Sequence, residues 1–486
     1  MIEIITILMA AYNFSQVNWE REVVDSSSSG DFIFNTIAVD NEQRSHIAYS
    51  RYAHSKLVYA FCEDTFWSKE TVDSGFFYYG FSLEFDNSNI PHLAYYRRND
   101  AVGKTYVCYA QRNDSNWTTE TVDSSSGFLG SYYYMFNSSI DLDTLTLPGL
   151  AYIAWNTTDS LHYIKYAYFD GSQWDTSIVT YDTSWTGPAP SDLNPSLRFD
   201  SNNTPHIAFV RMHGSIYDTL KYMKYEDSIH TWTVIDTLCC PSLGFPLSLE
   251  LDSADYPCIA HNYGGILTYT WWDSLSHYSD YITLIGYSGV EIHLELDEYD
   301  NPQIAYLPDM PNRPYYCFRD SIWNLCGPVE PDTYTTTASV DISLSVDSNN
   351  QPHVCYQCRR SNVYYIKYAK GSFVGIGEKT NHVELPTTCP RFSISPNPFS
   401  VNTNIIWYLS DEHSIQGYSL RIYDISGRLV QELSSSDCLS TKKMRWPSGN
   451  KDDCHIPAGV YFVCLNGIAP ERVGTPRIVR KIVKLK

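Results

Sequence analysis

The chain has 486 residues, 43% hydrophobic and 18% charged. That is enough apolar material for a buried core and excludes a disordered chain. With 34 Lys+Arg against 55 Asp+Glu, net −21, it lacks the basic face that nucleic acid selects. No apolar run approaches the roughly 18 residues of a membrane span.

At the N-terminus, Ile4–Ala11 is apolar and resembles the end of a secretory leader, although Glu3 has the wrong sign and no basic segment precedes it. Residues 1–16 are read as a truncated signal peptide, with a first strand as the alternative.

Residues 17–378 carry a repeat. Asp40, Asp86, Asp143, Asp200, Asp252, Asp297 and Asp347 each open a turn, spaced 46, 57, 57, 52, 45 and 50 residues apart. Five positions on stand Ser45, Pro91, Pro148, Pro205, Pro257, Pro302 and Pro352, followed by an aliphatic-Ala-aromatic run such as Leu93-Ala94-Tyr95. Each unit reads as four short strands. A precedes the Asp turn, B follows it, C is Tyr-rich, and D opens with Trp and ends near Val-Asp. About 50 residues and four strands is the size of a propeller blade. The seventh unit lacks strand D, and Trp19–Asp25 has that pattern at the other end of the chain. The expectation is a seven-bladed β-propeller closed by strands from both ends, which leaves no open edge.

Residues present in every blade are read as structural. The turn Asp is a turn cap, with calcium ligation as the alternative. The repeated Tyr and Trp pack blade on blade, with sugar stacking as the alternative. His46, His92, His206 and His353 are hydrogen-bonded strand-start residues. Candidate ligand contacts lie on the face of the B–C and D–A loops: Arg51, Arg97, Arg98, Arg211, His213, Arg359 and Arg360. A guanidinium cluster would take carboxylate, sulfate or phosphate. The insertions 127–136 and 181–195 would rim that face, the second with Trp185.

Thirteen Cys is an odd count. Cys355 and Cys358 form CxxC, but on a strand they point to opposite faces, so no metal role is assigned. Cys239–Cys240 is placed in a loop. No cofactor motif occurs: there is no phosphate-binding Gly loop, no Gly-x-Ser-x-Gly and no His-Glu-x-x-His. The Asp-box of sialidase-like propellers, Ser-x-Asp-x-Gly-x-Thr-Trp, is not met.

Residues 379–486 carry 14 Lys+Arg and 9 Asp+Glu, net +5, against −26 for residues 1–378. Such a step marks a boundary. After a linker at 379–390 come Pro396-Asn397-Pro398-Phe399, then Tyr423-Asp424 leading to Gly427-Arg428, then Gly459-Val460-Tyr461, and a basic tail with Lys481. The alternating strands and Gly/Pro turns read as a small Ig-like β-sandwich. As a set, these motifs resemble the C-terminal (type A) sorting domain of the bacterial type IX secretion system. The resemblance covers 391–486. It implies the type IX machinery as a partner and a secreted or outer-membrane-surface location. Cys438 and Cys454 allow a local disulfide.

The sequence therefore describes an all-β protein, a seven-bladed β-propeller followed by an Ig-like β-sandwich. The expected function is binding of an extracellular glycan or protein. One alternative is a sialidase-like glycoside hydrolase or lyase acting on acidic polysaccharide. Another is a structural adhesion protein.

Overall fold

The structure is a computed structural model. It describes residues 17–28, 34–125, 137–181 and 192–373 apart from short loop segments, and strands and turns within 391–484. The chain divides into two compact units, one spanning Tyr12–Ile376 and one containing Gly377–Lys486.

The first unit is a seven-bladed β-propeller. Six blades are four-stranded antiparallel sheets of consecutive strands. The first runs Asn35–Val39, Ser45–Arg51, Lys56–Glu63 and Phe66–Ser74. The seventh holds Ile342–Val346, Pro352–Arg360 and Val363–Phe373, and takes its outer strand, Val17–Ser27, from the start of the chain. That strand pairs with Val363–Phe373 from Val17↔Phe373 to Ser27↔Tyr364. Closure therefore uses the displaced strand that the repeat pattern predicts.

Period-two alternation explains the core. Three residues before each turn Asp stand Ile37, Leu83, Ile140, Leu197, Leu249, Leu294 and Leu344, all buried. Seven after it stand Ile47, Leu93, Leu150, Ile207, Ile259, Ile304 and Val354, all fully buried. These rings fill the space between blades.

The turn Asp acts as a cap in all seven blades. Its Oδ1 accepts from the backbone amides two and four residues on, as at Asp86 (Ser88 N and Ile90 N, both 2.8 Å) and Asp347 (Asn349 N and Gln351 N, both 2.9 Å). The residue three positions on takes a left-handed conformation each time, including Asn89 (φ 60°), Asn203 (φ 63°) and Asn350 (φ 61°), where Asn tolerates positive φ.

The Trp side chains clamp neighbouring blades. Trp67, Trp117, Trp174, Trp232, Trp323 and Trp19 each meet a Tyr of the preceding blade edge-on, with centroids 4.9–5.5 Å apart. Most also donate an indole N–H to that blade's outer strand, as Trp117 does to Glu70 (3.2 Å). The fifth blade's outer strand, His277–Leu284, has no Trp. Trp272 of its third strand takes over, bonding Asp236 at 3.0 Å.

Cys239 and Cys240, expected in a loop, lie in the strand Thr231–Pro241 opposite Thr219 and Asp218. The outer strand runs on past its Val-Ile-Asp segment and keeps pairing with Tyr217–Thr219. Cys355 packs between the seventh and first blades, and Cys358 on the opposite side against the sixth.

In the second unit, Arg391–Ser395, Thr403–Tyr408 and Lys443–Trp446 form one antiparallel sheet. Leu429–Leu433, Gly417–Asp424, Gly459–Ile468 and Arg477–Lys484 form another. Trp446 is fully buried and meets Tyr461 edge-on at 5.1 Å.

Candidate functional site: the central cavity

Once the repeated polar residues are accounted for, few are left over. His46, His206 and His353 each bridge their turn Asp to a Tyr of the third strand; in the first blade Asp40 lies 3.1 Å from His46 Nε2 and Tyr59 Oη 2.6 Å from Nδ1. His92 keeps the Tyr109 bond at 2.7 Å and stands 3.8 Å from Asp86. Burial depresses all four, His206 to about 4, so they are neutral at pH 7. In the third blade Gly149 holds the histidine position. A Cβ there would lie 2.6 Å from the Phe199 ring, and Tyr168 reaches Asp143 directly at 2.8 Å.

Most loop-face arginines are engaged, Arg51, Arg97 and Arg211 with the preceding blade and Arg98 and Arg359 within their own. Arg51 lies 3.8 Å from Asp25 and Arg97 3.4 Å from Asp73, both carboxylates of the preceding blade's outer strand. Arg97 also sits over the rings of Phe76 (5.0 Å) and Tyr106 (5.3 Å). Arg98 pairs with Asp100 at 2.7 Å, Arg211 donates to Thr180 Oγ1 at 2.9 Å, and Arg359 donates to Asn362 at 2.5 Å. Arg360 is exposed at the end of its strand. His213 and Trp185, with most of the two insertions, lie outside the described residues, as do Pro396, Asn397, Pro398, Phe399 and Gly427 of the second unit. Tyr423 and Asp424 end a strand there, and Arg428 bonds back to Asp424 at 3.0 Å. Gly459, Tyr461 and Lys481 lie on the paired strands Gly459–Ile468 and Arg477–Lys484.

The inner strands carry what the repeat does not use. They surround a cavity of about 480 Å³ to which all seven blades contribute. Four residues before the turn Asp stand Thr36, Ser82, Ser139, Ser196, Ser248, His293 and Ser343. Most of these hydroxyls bond the next blade. Ile140 N donates to Ser82 (3.2 Å), Leu197 N to Ser139 (3.0 Å), Leu249 N to Ser196 (3.1 Å) and Ile37 N to Ser343 (3.0 Å).

Two residues before the Asp, the ring changes character: Ala38, Glu84, Asp141, Arg198, Glu250, Glu295 and Ser345. Arg198 grips Glu250 of the next blade through Nε (2.9 Å to Oε2) and Nη2, and Asp141 Oδ2 accepts from Phe199 N at 2.6 Å. Glu291 and Asp341 lie further along. The cavity is thus lined by six carboxyls (Glu84, Asp141, Glu250, Glu291, Glu295, Asp341) and one guanidinium. Burial raises the proton affinity of Glu84, Asp141, Glu291, Glu295 and Asp341. Neighbouring carboxylates add to it at Glu84, Asp141, Glu291 and Glu295. Burial, then Arg198, holds His293 down to about 4, so its ring is neutral. The lining offers hydroxyl, amide and carboxyl oxygens to a polar or cationic guest. Counting backwards from the turn Asp in the repeat frame would have revealed these residues.

No family model and no curated protein matches the chain. Solved structures resemble the chain at low similarity. A Dyadobacter fermentans protein of unknown function is 10% identical over 74% of this chain and 99% of that one, with a TM-score of 0.42. A Trypanosoma rangeli sialidase is 9% identical over 70% and 54%, at 0.39. A Penicillium chrysogenum α-L-arabinanase is 10% identical over 62% and 97%, at 0.41.

Proposed function

We propose that this chain is an extracellular binding module. The propeller takes a glycan or a protein segment at its central cavity, and the C-terminal unit directs its export. The observation that carries the binding reading is a contrast between two sets of polar residues. The repeated Asp, and most of the repeated His and Trp, are consumed in internal bonds. The unrepeated Glu84, Asp141, Arg198, Glu250, Glu291, Glu295 and Asp341 line the cavity, where burial opposes the ionisation of most of these carboxyls. Such groups cost stability, and they gather where a ligand is held. Their chemistry suits hydroxyl-rich or cationic groups better than the acidic ligands a free arginine cluster would select.

The motif set in 391–486 supports an Ig-like sorting domain read by the type IX machinery, and with it a secreted or outer-membrane-surface location. Deleting 391–486 should strand the propeller inside the cell, and normal export without it would end that reading.

For the binding role, the full chain is passed over neutral, cationic and acidic glycans, and both retention and released sugar are scored. Retention lost in Glu295→Gln and kept in Arg97→Ala/Arg98→Ala supports the cavity. The reverse pattern moves the site to the loop-face arginines. Released product makes the chain a hydrolase or lyase, and silence on both counts leaves a structural adhesion role.

A further inference from the structure

One end of the cavity has a composition of its own. Glu291 and Asp341 both line it there, on adjacent blades. Arg198, the one guanidinium of the lining, is committed to Glu250. Asn35 completes the group. It is 4% exposed and lines the same cavity. Its backbone N–H donates to Asp341 Oδ2 (2.8 Å) and its Nδ2 to the Asp341 carbonyl (3.1 Å). The second bond, to a carbonyl that can only accept, fixes which amide atom is which. The two bonds leave Asn35 Oδ1 buried with no hydrogen-bond partner.

A buried amide oxygen without a donor costs about 1–3 kcal/mol. Two partly buried carboxyls lining one cavity from adjacent blades disfavour each other's charge. A cation relieves both penalties at once. Carboxylate and amide oxygens without sulfur are the donor set of hard cations, and calcium takes such all-protein oxygen sets more readily than magnesium, which usually keeps several waters.

We propose that Glu291, Asp341 and Asn35 Oδ1 form a binding site for a hard divalent cation of the calcium type, whichever glycan or protein the propeller takes. This is separate from the turn-capping Asp residues, whose Oδ1 atoms are committed to backbone amides.

The test uses the full chain, stripped with EDTA and titrated with Ca²⁺ by calorimetry, with the propeller's thermal transition followed in parallel. Wild type should bind with a midpoint of about 0.1–1 mM, the range of extracellular calcium modules. Its Tm should rise by about 2 °C or more at saturation. Glu291→Gln keeps the shape and removes one of the paired charges. It should raise the Tm of the metal-free protein and weaken Ca²⁺ binding at least tenfold. Asp341→Asn should weaken binding similarly, while Asp86→Asn at a turn should leave the midpoint unchanged. The proposal is overturned if wild type shows neither heat nor a Tm shift up to 10 mM Ca²⁺ (an arbitrary ceiling about tenfold above the weakest expected midpoint). It is equally overturned if Glu291→Gln and Asp341→Asn respond with the wild-type midpoint.

Discussion

Trp117 and Trp19 occupy the same place in their blades and differ in one bond. Both meet a Tyr of the preceding blade edge-on, at 4.9 Å and 5.4 Å. Trp117 Nε1 donates to Glu70 at 3.2 Å, whereas Trp19 Nε1 is buried with no acceptor. Replacing either Trp by Phe removes the same volume and keeps an aromatic pair, so the packing loss is common to both. Trp117→Phe also loses a hydrogen bond to a charged group. Its worth of about 1.5–3 kcal/mol falls to about 1 because Glu70 is partly exposed. Trp19→Phe deletes an unsatisfied buried N–H and recovers about 1 kcal/mol. Trp117→Phe should therefore be less stable than Trp19→Phe by about 2 kcal/mol. Urea unfolding of both variants, followed by near-ultraviolet circular dichroism, reads the difference as a shift in midpoint at constant slope. Equal midpoints, or a lower one for Trp19→Phe, would refute the claim that indole hydrogen bonding distinguishes these two blade boundaries.

Other substitutions test other layers of the structure. Asp252→Ala removes two backbone-amide bonds (2.9 and 2.8 Å) from the fifth blade's turn and should cost about 1–2 kcal/mol by thermal melting. Asp40 and Asp200 are held down to about 2 although burial opposes their ionisation, by bonds from His46 and from Lys224 respectively and from nearby backbone amides. Since their folded values lie below the unfolded one, their stabilisation is complete above pH ~4 and is lost as pH falls towards 2, by up to about 2 kcal/mol each. Stability measured from pH 5 to 2 should follow that fall, and a flat profile would contradict it. Arg198→Met strands Glu250 among other carboxyls and should cost about 3–5 kcal/mol at pH 7. The loss should shrink at pH 5, where the raised carboxyls take up protons, and a pH-independent loss would mean that packing alone is at stake. Deleting residues 17–27 bares the edge of Val363–Phe373 and should give dimers or aggregates by light scattering. A stable monomer would show that closure does not need that strand.

The blade repeat was legible because the turn Asp recurs seven times, with the Pro five positions on in six copies and the aliphatic-Ala-aromatic run close behind, all of them local. The displaced outer strand followed from the same frame. The cavity was missed for the opposite reason: Glu84, Asp141, Arg198 and Glu250 differ from blade to blade, so no repeat marks them. They share only their distance from the Asp, on its upstream side. The loop-face arginines show the converse. Arg51 and Arg97 align in sequence, but Asp25 and Asp73, which hold them, sit on another blade more than 20 residues upstream. Blade five hid its Trp because the ring moved from the fourth strand to Trp272 on the third.

The hydroxyls four residues before the turn Asp run in one rotational sense: Ser82 to the third blade, Ser139 to the fourth, Ser196 to the fifth. Ser343 and Ser345 repeat the pattern across the closing boundary, to Ile37 N (3.0 Å) and Val39 N (3.2 Å). The closing junction of the propeller therefore carries the same hydroxyl–amide bond as the three junctions from the second blade to the fifth. A ring closed by the same bond that joins its interior blades is not marked by its backbone bonding at any one starting point. Circularly permuted versions, opened at any loop between consecutive blades with the old ends joined, should regain the same ring.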